Sequence, residues 1–134
     1  MNNRYTLIAA DGSELPAGAD GAVAFIDETS GLMHPIDDFD PMPQANAIEA
    51  CAAMTLAGFN DWRLGNPQEL FTLTDHDHVN PAVDPACPAK IKPEWYWTRT
   101  PVQGGPGRAW LVGFGDGRVS SDHVGYRYRA RAVR

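Results

Sequence analysis

Residues 95–134 constrain the fold more than any other part of the chain, because they read almost entirely as short strands separated by turns. Trp95-Tyr96-Trp97-Thr98-Arg99-Thr100 alternates, Ala109 to Phe114 is an apolar run of strand length, and Gly115-Asp116-Gly117 is a tight-turn signal before Arg118-Val119-Ser120-Ser121. The tail places Tyr126, Tyr128, Ala130 and Ala132 on one side and Arg127, Arg129 and Arg131 on the other, the two-residue period of a strand. Strands joined by turns this short pair antiparallel.

Upstream the signals change. Gly21 to His34 reads as a hairpin, with Val23 and Phe25 alternating before a Glu-Thr-Ser-Gly turn and Leu32-Met33. Asp37 to Pro43 is rich in Asp and Pro and reads as a loop. Strong helix formers over 43–57, with Ile48, Cys51, Thr55 and Leu56 near helical spacing, predict a first helix that Gly58 ends. Trp62 and Leu64 flank Arg63 as on a short strand that buries the indole, and Arg63 can reach a carboxylate or helix-end carbonyls. Asn66, Pro67 and Glu69 have the spacing of an N-cap, first helical residue and capping-box acid, opening a second helix whose buried face is Leu70, Phe71 and Leu73. Trp62, Arg63, Leu64, Asn66 and Glu69 thus each have a sufficient structural role and read as scaffold. Residues 75–94 carry four prolines and read as a long loop.

This order gives an α+β class, two helices packed on a twisted antiparallel sheet with long loops. A length of 134 residues suits a single domain over 1–134, with 1–20 as an amino-terminal extension or first strand. The apolar run Leu7 to Ala10 is too short for an export signal, and nowhere do 18 apolar residues run together. The expectation is no membrane span, and a cytoplasmic or virion-associated location.

The net charge of −6 hides an asymmetry: residues 1–62 hold ten acids against Arg4, whereas 86–134 hold three acids against nine bases. The basic end can attract an anionic partner, or the two halves neutralise each other in the fold. Overall acidity argues against tracking a nucleic-acid backbone.

Candidate chemistry is sparse. Asp75-His76-Asp77-His78 offers ligand-type side chains, but adjacent residues on an extended chain point apart, so no metal or other cofactor is expected. Cys51 falls mid-helix among alanines and Cys87 in the proline-rich loop, neither in the setting of an activated nucleophile. Gln103 to Gly107 precedes a strand rather than a helix and reads as a turn, not a phosphate cradle. Aromatic residues interleaved with arginine are the better candidates: Trp95, Trp97, Arg99, Arg108, Tyr126, Arg127, Tyr128 and Arg129 are expected to form a binding surface on the sheet and its loops, with Tyr96 and Trp110 in the same pool. Alternation places about half of the aromatics in the core.

With these elements in place, Phe25 to His34, the helix with Cys51, Gly58 to Leu70, Asn80 to Pro85, Tyr96-Trp97-Thr98-Arg99-Thr100, Ala109 to Val119 and the terminal Arg129 to Arg134 resemble, in order, the Lcl C-terminal-domain family, named after a bacterial collagen-like adhesin. The similarity spans residues 21–134. His34 stands where the family pattern has Trp, Gly65-Asn66 where it has Pro-Thr, and Thr98-Arg99 where it has Ser-Ser. Ala132 stands where the pattern has a terminal Cys, so the resemblance implies that Cys51 lacks its usual partner. It also implies a C-type-lectin-like architecture and a non-enzymatic role in binding a glycan or protein, with glycosaminoglycan binding and trimerisation known for the adhesin's domain. An oligomeric virion or surface component and a small hydrolase using the His-rich loop are the alternatives. Phage encoding is an expectation that goes with the binding role.

Overall fold

The computed structural model describes residues 4–134. In chain order the elements are β1 (Tyr5–Ala9), β2 (Glu14–Leu15), β3 (Ala22–Asp27), β4 (Leu32–Pro35), β5 (Phe39–Met42), α1 (Gln44–Ala52), β6 (Arg63–Leu64), α2 (Pro67–Phe71), β7 (Trp95–Pro101), β8 (Arg108–Gly113), β9 (Arg118–His123), β10 (Tyr128–Ala130) and β11 (Ala132–Val133). The fold is α+β and mostly strand. Its sheets run β2-β1-β3-β4, β5-β10-β7-β8-β9 and β11-β6. Pairing is antiparallel except between β10 and β7, which run parallel. Strands β1 and β2, within residues 5–15, thus join β3 and β4 in one sheet.

The expected hairpin is β3–β4, closed by Gly31 N–H donating to Asp27 O at 2.7 Å. The segment Asp37 to Pro43, expected to be a loop, contains β5. Pro41 is tolerated there because β5 is an edge strand, where a missing N–H costs no ladder bond.

The first helix is shorter than expected. It ends at Ala52, and Leu56 and Phe59 then pair across a tight turn in which Ala57 and Gly58 have φ of 56° and 79°. Gly58 serves that turn and does not cap the helix. Small buried residues at Ala47 and Cys51 seat α1 on the sheet, whereas Ile48 is 40% exposed and faces away. Cys51 and Cys87 are free thiols, and Cys51 shares a core cluster with Ala132.

Strand β7 is buried on both faces. Trp97 packs with Trp62, Cys51, Leu111 and Ala130 under α1. Tyr96 packs with Phe25, Leu70, Leu73, Val112 and Phe114 under α2 and the long loop. That double cover explains the tail. Arg131, expected on an open arginine face, is fully buried, pairs with Asp38 and donates to Pro35 O, while Tyr96 Oη donates to the second Asp38 oxygen. The tail is not one strand: beyond Arg131 it leaves the large sheet and pairs with β6, Ala132 opposite Leu64.

The capping box on α2 forms as its sequence spacing requires. Glu69 N–H donates to Asn66 Oδ1 at 2.8 Å, and Asn66 N–H to Glu69 Oε1 at 3.0 Å. Leu70 and Leu73 are buried, but Phe71 is 38% exposed and faces out. With only five residues α2 presents a narrow inner face, and Phe71 falls outside it.

Candidate functional site

The folded chain neutralises most of its basic end internally. Arg129 meets Glu94 at 3.0 Å and Asp40 at 3.7 Å, Lys90 meets Asp37 at 3.7 Å, Arg134 meets Asp61 at 2.9 Å, and Arg131 is buried against Asp38. Four of these carboxylates lie in the acidic amino-terminal half. Arg99, Arg108 and Arg127 have no carboxylate partner among the described residues.

The residues expected to form one binding surface are spread over several places. Trp97 is fully buried and donates from Nε1 to Met42 O at 2.8 Å, so it has no surface to offer; the alternation that suggested otherwise separates two cores, not core from solvent. Tyr128 is half-buried edge-on to Trp97, its hydroxyl bound to Asp122, and Arg129 is held in its two ion pairs. Tyr126, 60% exposed, and Arg127 stand on the turn between β9 and β10. Trp95 lies across Gly113, whose backbone it approaches so closely that a Cβ there would come within 2.7 Å of the indole. Arg99 and Arg108 flank a different feature.

That feature is an open apolar groove of about 420 Å³ lined by Pro67, Gln68, Phe71, Trp110 and Val119. Two elements build it. Register pairs Trp110 with Ser121 and Val112 with Val119, so Trp110 and Val119 share the sheet face covered further along by α2. The helix reaches only as far as Phe71, leaving Trp110 half-buried and Val119 44% exposed beside it. Arg108, two residues before Trp110 on the same face, reaches across to Ser121, donating to its carbonyl at 2.7 Å and its hydroxyl at 3.1 Å. Arg99 anchors to Gly65 O through its backbone N–H at 2.9 Å and lies near enough to Glu69 to help keep that carboxylate ionised.

The groove's second wall is held rigidly. Arg63 grips Glu69 with two bonds of 2.7 and 2.6 Å, and this pair, with the Asn66 backbone, brings the Glu69 carboxyl down to about 2. Trp62 is buried with its Nε1 donating to Leu56 O at 3.2 Å, and Leu64 is buried beside it. Phe71 and Val119 were not among the residues expected to bind. Phe71 was assigned to the core by helical spacing, and Val119, between Arg118 and Ser120, lies on an edge strand whose inward face only the tertiary structure defines.

The remaining candidates do not converge. His76 Nε2 bonds Gly117 O at 3.0 Å while His78 Nδ1 faces Asp75 at 3.2 Å, so the two imidazoles serve different partners. No group of three His, Cys, Asp or Glu side chains suited to a metal ion occurs among the described residues. Burial pushes the Cys51 thiol up to about 12 and the Cys87 thiol up to about 11, which keeps both protonated and poorly nucleophilic. Among the described residues no helix is long and apolar enough to cross a membrane.

Residues 23–134 match the family model described as the Lcl C-terminal domain. A search of curated proteins found no match.

Proposed function

The chain belongs to the Lcl C-terminal domain family, and from that premise we propose a recognition module with no reaction of its own, C-type-lectin-like in fold, which binds a protein partner through the α2–β8–β9 face. The observation that carries the reading is the groove between Phe71, Trp110 and Val119, where aromatic and aliphatic side chains stay open on the sheet face that α2 covers further along. Aromatic side chains in a rigid, partly desolvated setting are the usual anchors of protein interfaces, and Arg99 and Arg108 supply a polar rim. A purely charge-led ligand suits the molecule less well, because Arg129, Arg131 and Arg134 are committed to internal carboxylates.

Photo-crosslinking tests this. A benzophenone side chain placed at Phe71 or Val119 in the producing cell should give one discrete adduct with another protein, and the same group at Asp37 or Asp40 should give none. Adducts concentrated at Asp37 and Asp40 would show that the acidic face is the contact surface. Adducts composed only of this chain would replace the reading with an oligomeric structural role.

A further inference from the structure

We infer that the cleft at the other end of the sheet, beside Trp95, is a binding site for one ring of a neutral saccharide. The cleft holds about 430 Å³ and is lined by Val79, Asn80, Pro93, Glu94, Trp95 and the Gly113–Asp116 turn. That is within the range of small-molecule sites, about 300–1,000 Å³. Trp95 faces away from Tyr96 and Val112, and so away from the groove containing Trp110. The two sites are independent.

Its walls divide by chemistry. Trp95, Val79 and Pro93 are apolar, and the absence of a side chain at Gly113 is what lets the indole lie flat against the strand. Opposite them are two polar groups of fixed position. Asn80, at a φ of 51°, is pinned by its backbone N–H to Gly115 O at 2.8 Å, with Ala82 N–H to Phe114 O at 2.7 Å continuing the attachment. Its carboxamide stands over Gly115, where a Cβ would lie 3.7 Å from Oδ1, and it has no hydrogen-bond partner among the described residues. Arg129 Nε donates to Glu94 Oε1 at 3.0 Å, which orients the carboxylate and leaves Oε2 without a partner among the described residues. Asp116 differs, since Arg118 takes both its oxygens, Nε at 2.6 Å and the backbone N–H at 3.2 Å.

A ligand for this cleft needs an apolar face for the indole and, on its rim, hydroxyls that donate to a carboxylate and exchange hydrogen bonds with a carboxamide. A hexose ring has both, its C–H face and its vicinal hydroxyls. The charged groups lining the cleft are Glu94 and Asp116, each already paired with an arginine, so the lining offers no cation to hold a sulfate or uronic carboxylate and a neutral sugar fits it better.

Titration of the isotope-labelled protein followed by chemical-shift change tests the site with methyl α-mannoside, methyl β-galactoside, N-acetylglucosamine and a heparin-derived disaccharide. At least one neutral sugar should move the Trp95 indole and Asn80 carboxamide signals saturably with a Kd of about 1–10 mM. Asn80→Gly, which removes the carboxamide but tolerates the positive φ, and Glu94→Gln, both at exposed positions, should each weaken that binding by about tenfold without altering the rest of the spectrum. Three results overturn the site: no neutral sugar shifts these signals up to about 50 mM, the heparin disaccharide shifts them instead, or both variants bind as wild type. Phe71→Ser should leave the sugar titration unchanged, which separates a failure here from a failure of the protein-binding reading.

Discussion

Replacing His34 by phenylalanine should stabilise the protein, and more so in acid. The His34 imidazole is fully buried, stacks on Phe25 at 5.3 Å and 28°, and has no hydrogen-bond partner at either ring nitrogen among the described residues. The charged groups around it oppose each other, Arg131 and Arg4 against Asp27 and Glu69, and burial dominates, bringing its pKa from 6.5 down to about 3. A folded-state value below the unfolded one means that the unfolded chain takes up the proton first. The neutral imidazole is therefore fully compatible with folding above pH 6.5, and stability drains away as pH falls from there towards 3. The slope is about 1.4 kcal/mol per pH unit, or roughly 2 kcal/mol between pH 6.5 and 5. His34→Phe keeps the stacked ring and removes two orphaned polar atoms, a gain on the order of 1–3 kcal/mol at neutral pH. Urea unfolding at about pH 7.5 and pH 5 should show the variant ahead at both, with its lead widening by roughly 2 kcal/mol in acid. Asp27 and Glu69 are held below the usual carboxylate range and are the same in both proteins, so their titration cancels in the comparison. A lead that is equal at the two pH values would refute the reasoning, since it would mean that His34 does not change protonation on unfolding.

Trp62→Ala should cost about 3–5 kcal/mol, the usual penalty for truncating a buried aromatic; a variant with unchanged urea midpoint but lost partner binding would make Trp62 a contact residue instead. Asn66→Ala should lower stability by about 0.5–2 kcal/mol through loss of the cap, while Asn66→Ser, which retains an acceptor, should restore most of it. Thiol titration should find two reactive groups in unfolded, non-reduced protein and slow reaction in the folded state, where burial holds Cys51 and Cys87 protonated. Finding none after unfolding would show that the two are bridged.

What could be read from sequence was local. The Asn66–Glu69 cap lies within four residues, and the tight turn at Gly115 to Gly117 and the β3–β4 hairpin carry their own turn chemistry. The fate of Arg131 depended on Asp38, 93 residues away, which supplies its buried counter-charge from a segment that reads as loop. Trp97 was misplaced for a related reason. Two-residue alternation assigns residues to opposite sheet faces but cannot say whether both faces are covered, and here α1 covers one while α2 and the long loop cover the other. The groove was illegible because it exists only where the short α2 stops over β8 and β9. The charge asymmetry left two readings open in the sequence, and the folded pairs Arg129–Asp40, Arg131–Asp38 and Arg134–Asp61 realise mutual neutralisation of the two halves.

The central claim, recognition by an aromatic groove more than by charge, is tested most directly by calorimetric titration of the partner recovered by crosslinking, using wild type and Trp110→Ala at low and high salt. The account predicts that Trp110→Ala weakens binding by at least about tenfold, as loss of an interface anchor does, and that salt from about 0.05 to 0.5 M changes wild-type affinity by less than that. Binding that survives Trp110→Ala but collapses in salt would contradict it.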